Sequence, residues 1–516
     1  MQAGKETESA MAMRRTNTRN QIKVILWGKE IGTLTWLSDR KMSYFFFSDE
    51  YFRQPYDLCP LTNPKGDPST HQAIYGVSLK EPYPESRLYQ GLPPFLADSL
   101  PDQWGNAVFD KWFAERNFPD SAKTPITKLS FLGNRAMGAF EFIPMMEPDF
   151  YKDKEINLQE LYGESMRIEE ELSGMSIRNN EVTIKSIAAL GTSPGGSRKK
   201  AVISIAPDGS VHSGKVSMDA GWKHCIIKFN TPRYSLSETE FTYWELAKES
   251  GIRMMPSYLY EIEGTRHFLT ERFDRMRGRK ILMQTLAAIN PEANSYEDLF
   301  KTCRRLDIPM KEITGLYRQT VFNFLMNNTD DHKKNFSFVL DEHFIWHLSP
   351  AYDITFIIAD NGIEPQKSHC FSLKGKYENI TEEDLVEFGK ANDIAKPESI
   401  VKEIRQVSLR FEEKALKNGI NGYYAEMISR RLNELGRPNQ SEDKVQSIQM
   451  GQTTLENIRF EMSTKGNIHL CAKIQEKERK KIVTNKNPLY DEIIKKGFNL
   501  MDAQSREAIF RCVFDS

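Results

Sequence analysis

With 516 residues, 39% hydrophobic and 27% charged, the chain has the composition of a globular protein, and its length suggests roughly three domains rather than one core. A formal net charge of -1 gives no reason to expect nucleic-acid binding by the chain as a whole, and no apolar run approaches the roughly 20 residues that span a bilayer. Six scattered cysteines without a Cys-x-x-Cys pair fit free thiols better than a disulfide framework or a zinc site, so the expected location is the cytoplasm.

Residues 1–20 are polar, lack periodicity and read as a disordered tail. Strand patterns follow at Val24–Trp27, Ile31–Trp36 and Met42–Phe47, a small antiparallel sheet. Asp98-Ser-Leu-Pro-Asp-Gln-Trp-Gly feeds a helix over Asn106–Ala114, whose Val108, Phe109, Trp112 and Phe113 form a core-facing stripe. A β-rich segment therefore occupies 21–150, and the polar helix after it reads as a connector.

The next segment, 151–273, opens with Gly191-Thr-Ser-Pro-Gly-Gly-Ser-Arg-Lys-Lys200 running into a strand from Ala201. Glycines, hydroxyls and consecutive cations can wrap phosphates, although such loops are also common surface turns, and the P-loop pattern is not met. A strand ending in Ile226-Ile-Lys-Phe229 precedes a helix over Glu238–Lys248 that stops at Gly251. A strand lysine followed by a glutamate-bearing helix is how kinases hold nucleotide phosphates, and spacing does not separate Glu240 from Glu245 as its partner. Two further strands lead to Glu271-Arg-Phe-Asp-Arg275, a hinge whose backbone could meet an adenine edge.

Residues 274–438 turn helical and carry the most informative stretch, Asn327-Asn-Thr-Asp-Asp-His-Lys-Lys-Asn-Phe336, between an apolar helix and a strand. Asp330 to Asn335 has the Asp-x-x-x-x-Asn offset of a kinase catalytic loop, which Asp331 does not keep, and Asp353 stands where a metal-binding aspartate would follow. Helices are expected over 382–392, 397–417 and 423–435. Residues 439–516 add a polar linker, a hairpin, the basic run Lys477–Lys481 and helical sequence, with no function assigned.

Taken in order, Leu100-Pro-Asp102, Ile226–Phe229, Glu271–Arg275, Thr329–Ser337 and Pro350-Ala-Tyr-Asp353 make the chain resemble the HipA-like serine/threonine protein kinases, toxins of bacterial toxin–antitoxin systems, over residues 22–435. The resemblance implies an α+β, bilobal protein-kinase-like fold with an N-terminal β-rich subdomain and an α-rich C-terminal lobe. It implies ATP and Mg2+ as cofactors, a protein substrate such as an aminoacyl-tRNA synthetase, and a helix-turn-helix antitoxin through which any DNA contact is made, with no membrane role. On this reading Asp330 is the catalytic base, Asn335 and Asp353 hold the metal, and His332 and Lys334 support the loop or the transferring phosphate. Lys228 holds phosphates with Glu240 as its partner, Glu271 and Phe273 offer adenine contacts, and Gly195, Gly196, Ser197 and Lys199 belong to the phosphate-covering loop. Ser193, ahead of Thr192, is the expected inhibitory autophosphorylation site. Two other classes stay open: a kinase-fold scaffold or co-repressor without turnover, and a small-molecule kinase.

Overall fold

The computed structural model describes residues 20–145, 155–172 and 198–436, with short interruptions at 83, 116–118, 214–220, 231–233, 277 and 359–364, and the backbone of four strands within 448–483. The first sheet consists of β1 (Gln21–Leu26), β2 (Lys29–Leu37), β3 (Met42–Phe47), β4 (Ile74–Tyr75) and β5 (Phe140–Ile143), in the order β4-β3-β2-β1-β5. β1 alternates buried Ile22, Val24 and Leu26 with exposed residues, the pattern of a sheet with one face on a core.

A second antiparallel sheet has the order β7-β6-β8-β10-β9, built from β6 (Lys200–Ile205), β7 (Val211–Ser213), β8 (Lys223–Lys228), β9 (Ser257–Ile262) and β10 (Thr265–Glu271). Helix α1 (Gln103–Glu115) and helix α2 (Leu158–Leu172) pack on it. Trp104, Val108, Phe109, Trp112 and Phe113 join Ala201, Ile203, Cys225, Ile227 and Phe229 in one buried cluster. Leu158, Leu161 and Ile168 belong to the same cluster, so the expected connector helix is part of the core; its polar average hides a narrow apolar stripe.

Helix α3 (Leu236–Glu249) links this sheet to the helical lobe, where α4 (Tyr296–Arg305) and α5 (Met310–Leu325) meet a small sheet of β13 (Leu282–Thr285), β14 (Ser337–Leu340) and β15 (Trp346–Leu348). The short hairpin strands β11 (Arg275–Met276) and β12 (Arg279–Lys280) precede that sheet. Helices α6 (Glu382–Ala391), α7 (Pro397–Ser408), α8 (Phe411–Asn418) and α9 (Gly422–Glu434) complete the lobe. The helix expected over 397–417 is thus two helices, separated at Leu409 and Arg410. The first sheet shares its core with this lobe, since Val24, Leu34 and Phe45 lie in the same buried cluster as Tyr296, Leu316 and Phe338. The fold is α+β and kinase-like, with a β-rich lobe and an α-rich lobe.

The hinge is anchored by a buried charge cluster. The Asp274 carboxylate accepts hydrogen bonds from Arg272 Nη2 at 2.7 Å, Arg275 Nη1 at 2.9 Å and the Gly138 N–H at 2.7 Å. Burial opposes the charge on Asp274, but the two guanidiniums outweigh it and hold the carboxyl well below its usual range. Arg275 also donates to the Gly138 and Ala136 carbonyls, fixing the hinge to the turn before β5.

Beyond residue 447, β16 (Ile448–Met450), β17 (Thr453–Met462), β18 (Ile468–Ile474) and β19 (Lys477–Val483) form an antiparallel sheet in sequence order. The basic run at 477–481 is therefore strand, paired in register with β18.

His347 on β15 lies between Glu312 Oε1 on α5 (2.7 Å) and Asp341 Oδ2 (3.2 Å), while Glu312 Oε2 accepts the Leu348 N–H. Burial opposes its protonation, yet the two carboxylates prevail and raise its pKa. A raised histidine pKa stabilises the fold fully below the unfolded value and loses that contribution as pH rises through the folded one. In thermal melts, His347→Gln is therefore expected to lower the melting temperature more at pH 6 than at pH 9. An equal loss at both pH values would refute the linkage.

Candidate active site

The buried end of β8 presents Lys228, whose Nζ donates to Glu240 Oε1 on α3 at 2.5 Å and also pairs with Asp353 Oδ1. Glu240 Oε2 accepts Arg198 Nη1 at 2.6 Å. Five residues on, Glu245 faces roughly 140° away around the helix and meets Asn418 and Lys414 instead. The structure thus separates two glutamates that spacing left equivalent. Burial works against the Lys228 charge, but Asp353 and Glu240 outweigh it and hold the ammonium above the ordinary lysine range. Burial likewise works against ionised Asp353, and Lys228 and Lys200 overcome it, keeping that carboxyl low. Asp353 has φ 52, a left-handed conformation uncommon for a residue with a Cβ and often found where function constrains the chain.

The two adjacent aspartates after α5 have separate jobs. Asp331 is buried, and its carboxylate accepts Tyr296 Oη at 2.7 Å and the Cys370 N–H at 2.8 Å, with His369 Nδ1 at 2.8 Å. Asp330 is half-buried, with His332 Nε2 at 3.5 Å from its Oδ1. Burial raises the Asp330 pKa, with repulsion from Asp353 and Asp331 adding and His332 opposing, which suits a carboxylate that takes up a proton. His332 Nδ1 accepts the Lys334 N–H at 3.2 Å, placing the histidine as a brace within the loop. Asn335 Nδ2 donates to the Asp330 carbonyl at 2.7 Å, so its amide oxygen is the atom left for a cation.

Lys228, Glu240, Lys334, Asn335 and Asp353 border one cleft, whereas Asp330 and His332 are not among its lining residues. Its apolar lining includes Ile226, Met254, Phe268 and Met283, and Glu271 and Phe273 lie along the hinge. The Glu271 N–H is spent on the Pro256 carbonyl at 2.9 Å. Its charged and polar lining includes Lys228, Glu240, Lys334, Asn335 and Asp353, with Lys228 Nζ 5.8 Å from the Phe268 ring centre. A cleft with both linings can seat a ligand that carries a flat apolar group and a polyanion.

Lys199 is a correction. It does not line the cleft: side chains alternate faces along a strand, and Lys199 Nζ meets Glu169 Oε2 on α2 at 2.5 Å. Its neighbours Arg198 and Lys200 instead pair with Glu240 and Asp102, which do line the cleft. Thr192, Ser193, Gly195, Gly196 and Ser197 lie outside the described residues. Asp98, Asp102 and Met137, all from the first 150 residues, also line the cleft and were not anticipated there. Their signal was the Asp98-Ser-Leu-Pro-Asp102 segment, which puts two carboxylates beside a helix start.

Among the described residues, no three His, Cys, Asp or Glu side chains are grouped to hold a metal unaided. Asn335 and Asp353 do fit a magnesium-type cation, which takes hard oxygens from one or two side chains and completes its shell with phosphates and water. No described helix is long and apolar enough to cross a membrane.

Two family models match the chain, the HipA N-terminal domain over residues 22–143 and the HipA-like C-terminal domain over 192–415. A Sinorhizobium fredii protein named "Putative kinase Y4dM" is 23% identical over 70% of this chain and 84% of its own. A Haemophilus influenzae protein named "Putative kinase" is 23% identical over 41% of this chain and 71% of its own. Among solved structures, HipA of Shewanella oneidensis MR-1, in complex with HipB and operator DNA, superposes with a TM-score of 0.56 at 14% identity. That match covers 80% of this chain and 96% of the Shewanella chain, and it supports the fold.

The division between the aspartates has a measurable consequence. Asp331→Ala leaves Tyr296 and His369 facing a lost acceptor and is expected to cost about 3 kcal/mol or more, the scale for breaking a buried charge network. Asp330→Asn should leave the thermal melt nearly unchanged. Equal destabilisation by the two variants would refute the division.

Proposed function

Because the chain belongs to the HipA-like kinase family, we propose that it is an ATP- and magnesium-dependent serine/threonine protein kinase that inhibits growth by phosphorylating a translation-related protein, and that it phosphorylates itself. The observation that carries this reading is the buried Lys228 between Glu240 and Asp353, beside the loop that presents Asp330 and Asn335.

On this reading Lys228 exchanges Asp353 for the nucleotide phosphates, while Glu240 keeps its ammonium in place. Asn335 and Asp353 would hold the magnesium ion, which supplies neutralisation of phosphate charge when bound. Asp330 orients the substrate hydroxyl, whose oxygen bonds to the γ-phosphorus as the bond to the β–γ bridging oxygen breaks. The hydroxyl proton passes to the Asp330 carboxylate, and ADP leaves. Ser193 or Thr192, a few residues before Arg198 in the sequence, is the autophosphorylation site that this reading assigns.

The family resemblance supports an aminoacyl-tRNA synthetase as the substrate class. The Shewanella HipA complex supports a HipB-like antitoxin of helix-turn-helix type as partner, with DNA contacted through it. A cytoplasmic location accords with these partners.

Purified protein given γ-labelled ATP and magnesium should label itself and a protein in a bacterial lysate. Asp330→Asn should reduce the rate about 10²–10⁴-fold, the usual contribution of a positioned base. Phosphopeptide mapping should place the self-label at Ser193 or Thr192. Label confined to small molecules, or equal rates for wild type and Asp330→Asn, would overturn the proposal.

A further inference from the structure

Lys200 and Lys228 are directly paired residues on the neighbouring antiparallel strands β6 and β8. Directly opposed residues of an antiparallel pair project to the same face, roughly 5 Å apart at Cβ, and like charges there repel. Both lysines are buried, so each needs a counter-charge where it stands. Lys228 has Glu240 and Asp353. Lys200 Nζ lies 2.9 Å from Asp102 Oδ2, and both side chains are almost fully enclosed.

Asp102 comes from outside the kinase lobes. It sits at the start of α1, where its Oδ1 accepts the Gly105 N–H at 2.6 Å, and Trp104 Nε1 donates to the Lys200 carbonyl at 3.0 Å. The carboxylate is thus fixed to its own helix, and that helix is fixed to the backbone of the lysine. Asp102 lines the same cleft as Lys228 and Asp353, and the Lys200 charge acts on Asp353. Asp98, four residues earlier, also borders the cleft and accepts the Thr285 N–H at 2.6 Å and Thr285 Oγ1 at 2.8 Å. The 98–102 segment is therefore held at both ends.

We propose that Asp102 is a positioning residue for nucleotide binding: it holds Lys200 as a second phosphate-facing cation beside Lys228, so the N-terminal segment completes the cleft. The Lys200–Asp102 pair repeats, from a different part of the chain, the logic of Lys228–Glu240. A lysine on the sheet gains a fixed direction from a carboxylate on a helix, and a fixed cation loses less freedom when a phosphate arrives. The inference rests on the cleft being a nucleotide site, as in the proposed function.

The test is calorimetric titration of the full chain with ATP and magnesium, with a thermal melt for each variant. Asp102→Asn and Lys200→Met should each weaken ATP binding about tenfold. The double variant should be no weaker than the poorer single one, because both changes break one interaction. A purely scaffolding pair would lower the melting temperature and leave affinity unchanged, and that result for folded Asp102→Asn overturns the inference. If Asp102→Asn does not fold, Lys200→Met decides, and wild-type affinity in that variant overturns it. Wild-type protein that binds no ATP would sink both this inference and the proposed function, whereas unchanged variants sink this inference alone.

Discussion

An ammonium buried at the end of a strand must be neutralised where it stands, and Lys228 draws its counter-charges from two distant parts of the chain. Glu240 arrives on α3, twelve residues on, and Asp353 from a segment 125 residues away. Removing one partner of such a group would leave a charge in a poorly solvated site, at a cost of several kcal/mol. The β-rich lobe and the helical lobe are therefore tied together at Lys228. Further ties keep the register. Arg253, just after α3, donates to the Leu348 carbonyl, and the Ala351 N–H donates to the Arg253 carbonyl at 2.8 Å. Asp353 is thus positioned from α3 by backbone contacts as well as by charge.

The loop after α5 solves a different problem with adjacent residues. A carboxylate that orients a hydroxyl needs a free oxygen, and a loop that carries it needs rigidity. Asp331 provides the rigidity by accepting hydrogen bonds from α4 and from the segment at 369–370. Asp330 keeps its carboxylate half-exposed, with its backbone carbonyl held by Asn335. A single aspartate could not serve both needs, because the bonds that would fix it would also consume its lone pairs.

The features legible in the sequence were those set by local spacing. The five-residue offset from Asp330 to Asn335, the strand ending at Lys228 and the hinge at 271–275 need only a short window to be seen. What spacing left open needed orientation. Glu240 and Glu245 sit on one helix, and only the packing of that helix says which one faces the sheet. Lys199 and Lys200 are chemically alike, and which one shares a face with Lys228 follows from the register that pairs Lys200 with it. The stripe on α1 was recognised as core, but its partners lie roughly ninety residues later in β6, beyond any local pattern. A polar helix with three spaced apolar residues reads as a connector until the surface that buries them is known.

That last difficulty bears on where the catalytic unit ends. An N-terminal segment that merely preceded the kinase lobes would share little with their cores. Here α1 is buried against the second sheet, the first sheet shares its core with the helical lobe, and the turn at Gly138 bonds to Asp274 of the hinge. The hinge thus has one side set by residues from the first 150. Separating the two parts would break the hydrogen bonds from the Gly138 N–H to Asp274 and from Arg275 to the Ala136 and Gly138 carbonyls, which disfavours their independent motion. The cleft is therefore best regarded as a junction of three parts of the chain, with the N-terminal part as one of its walls.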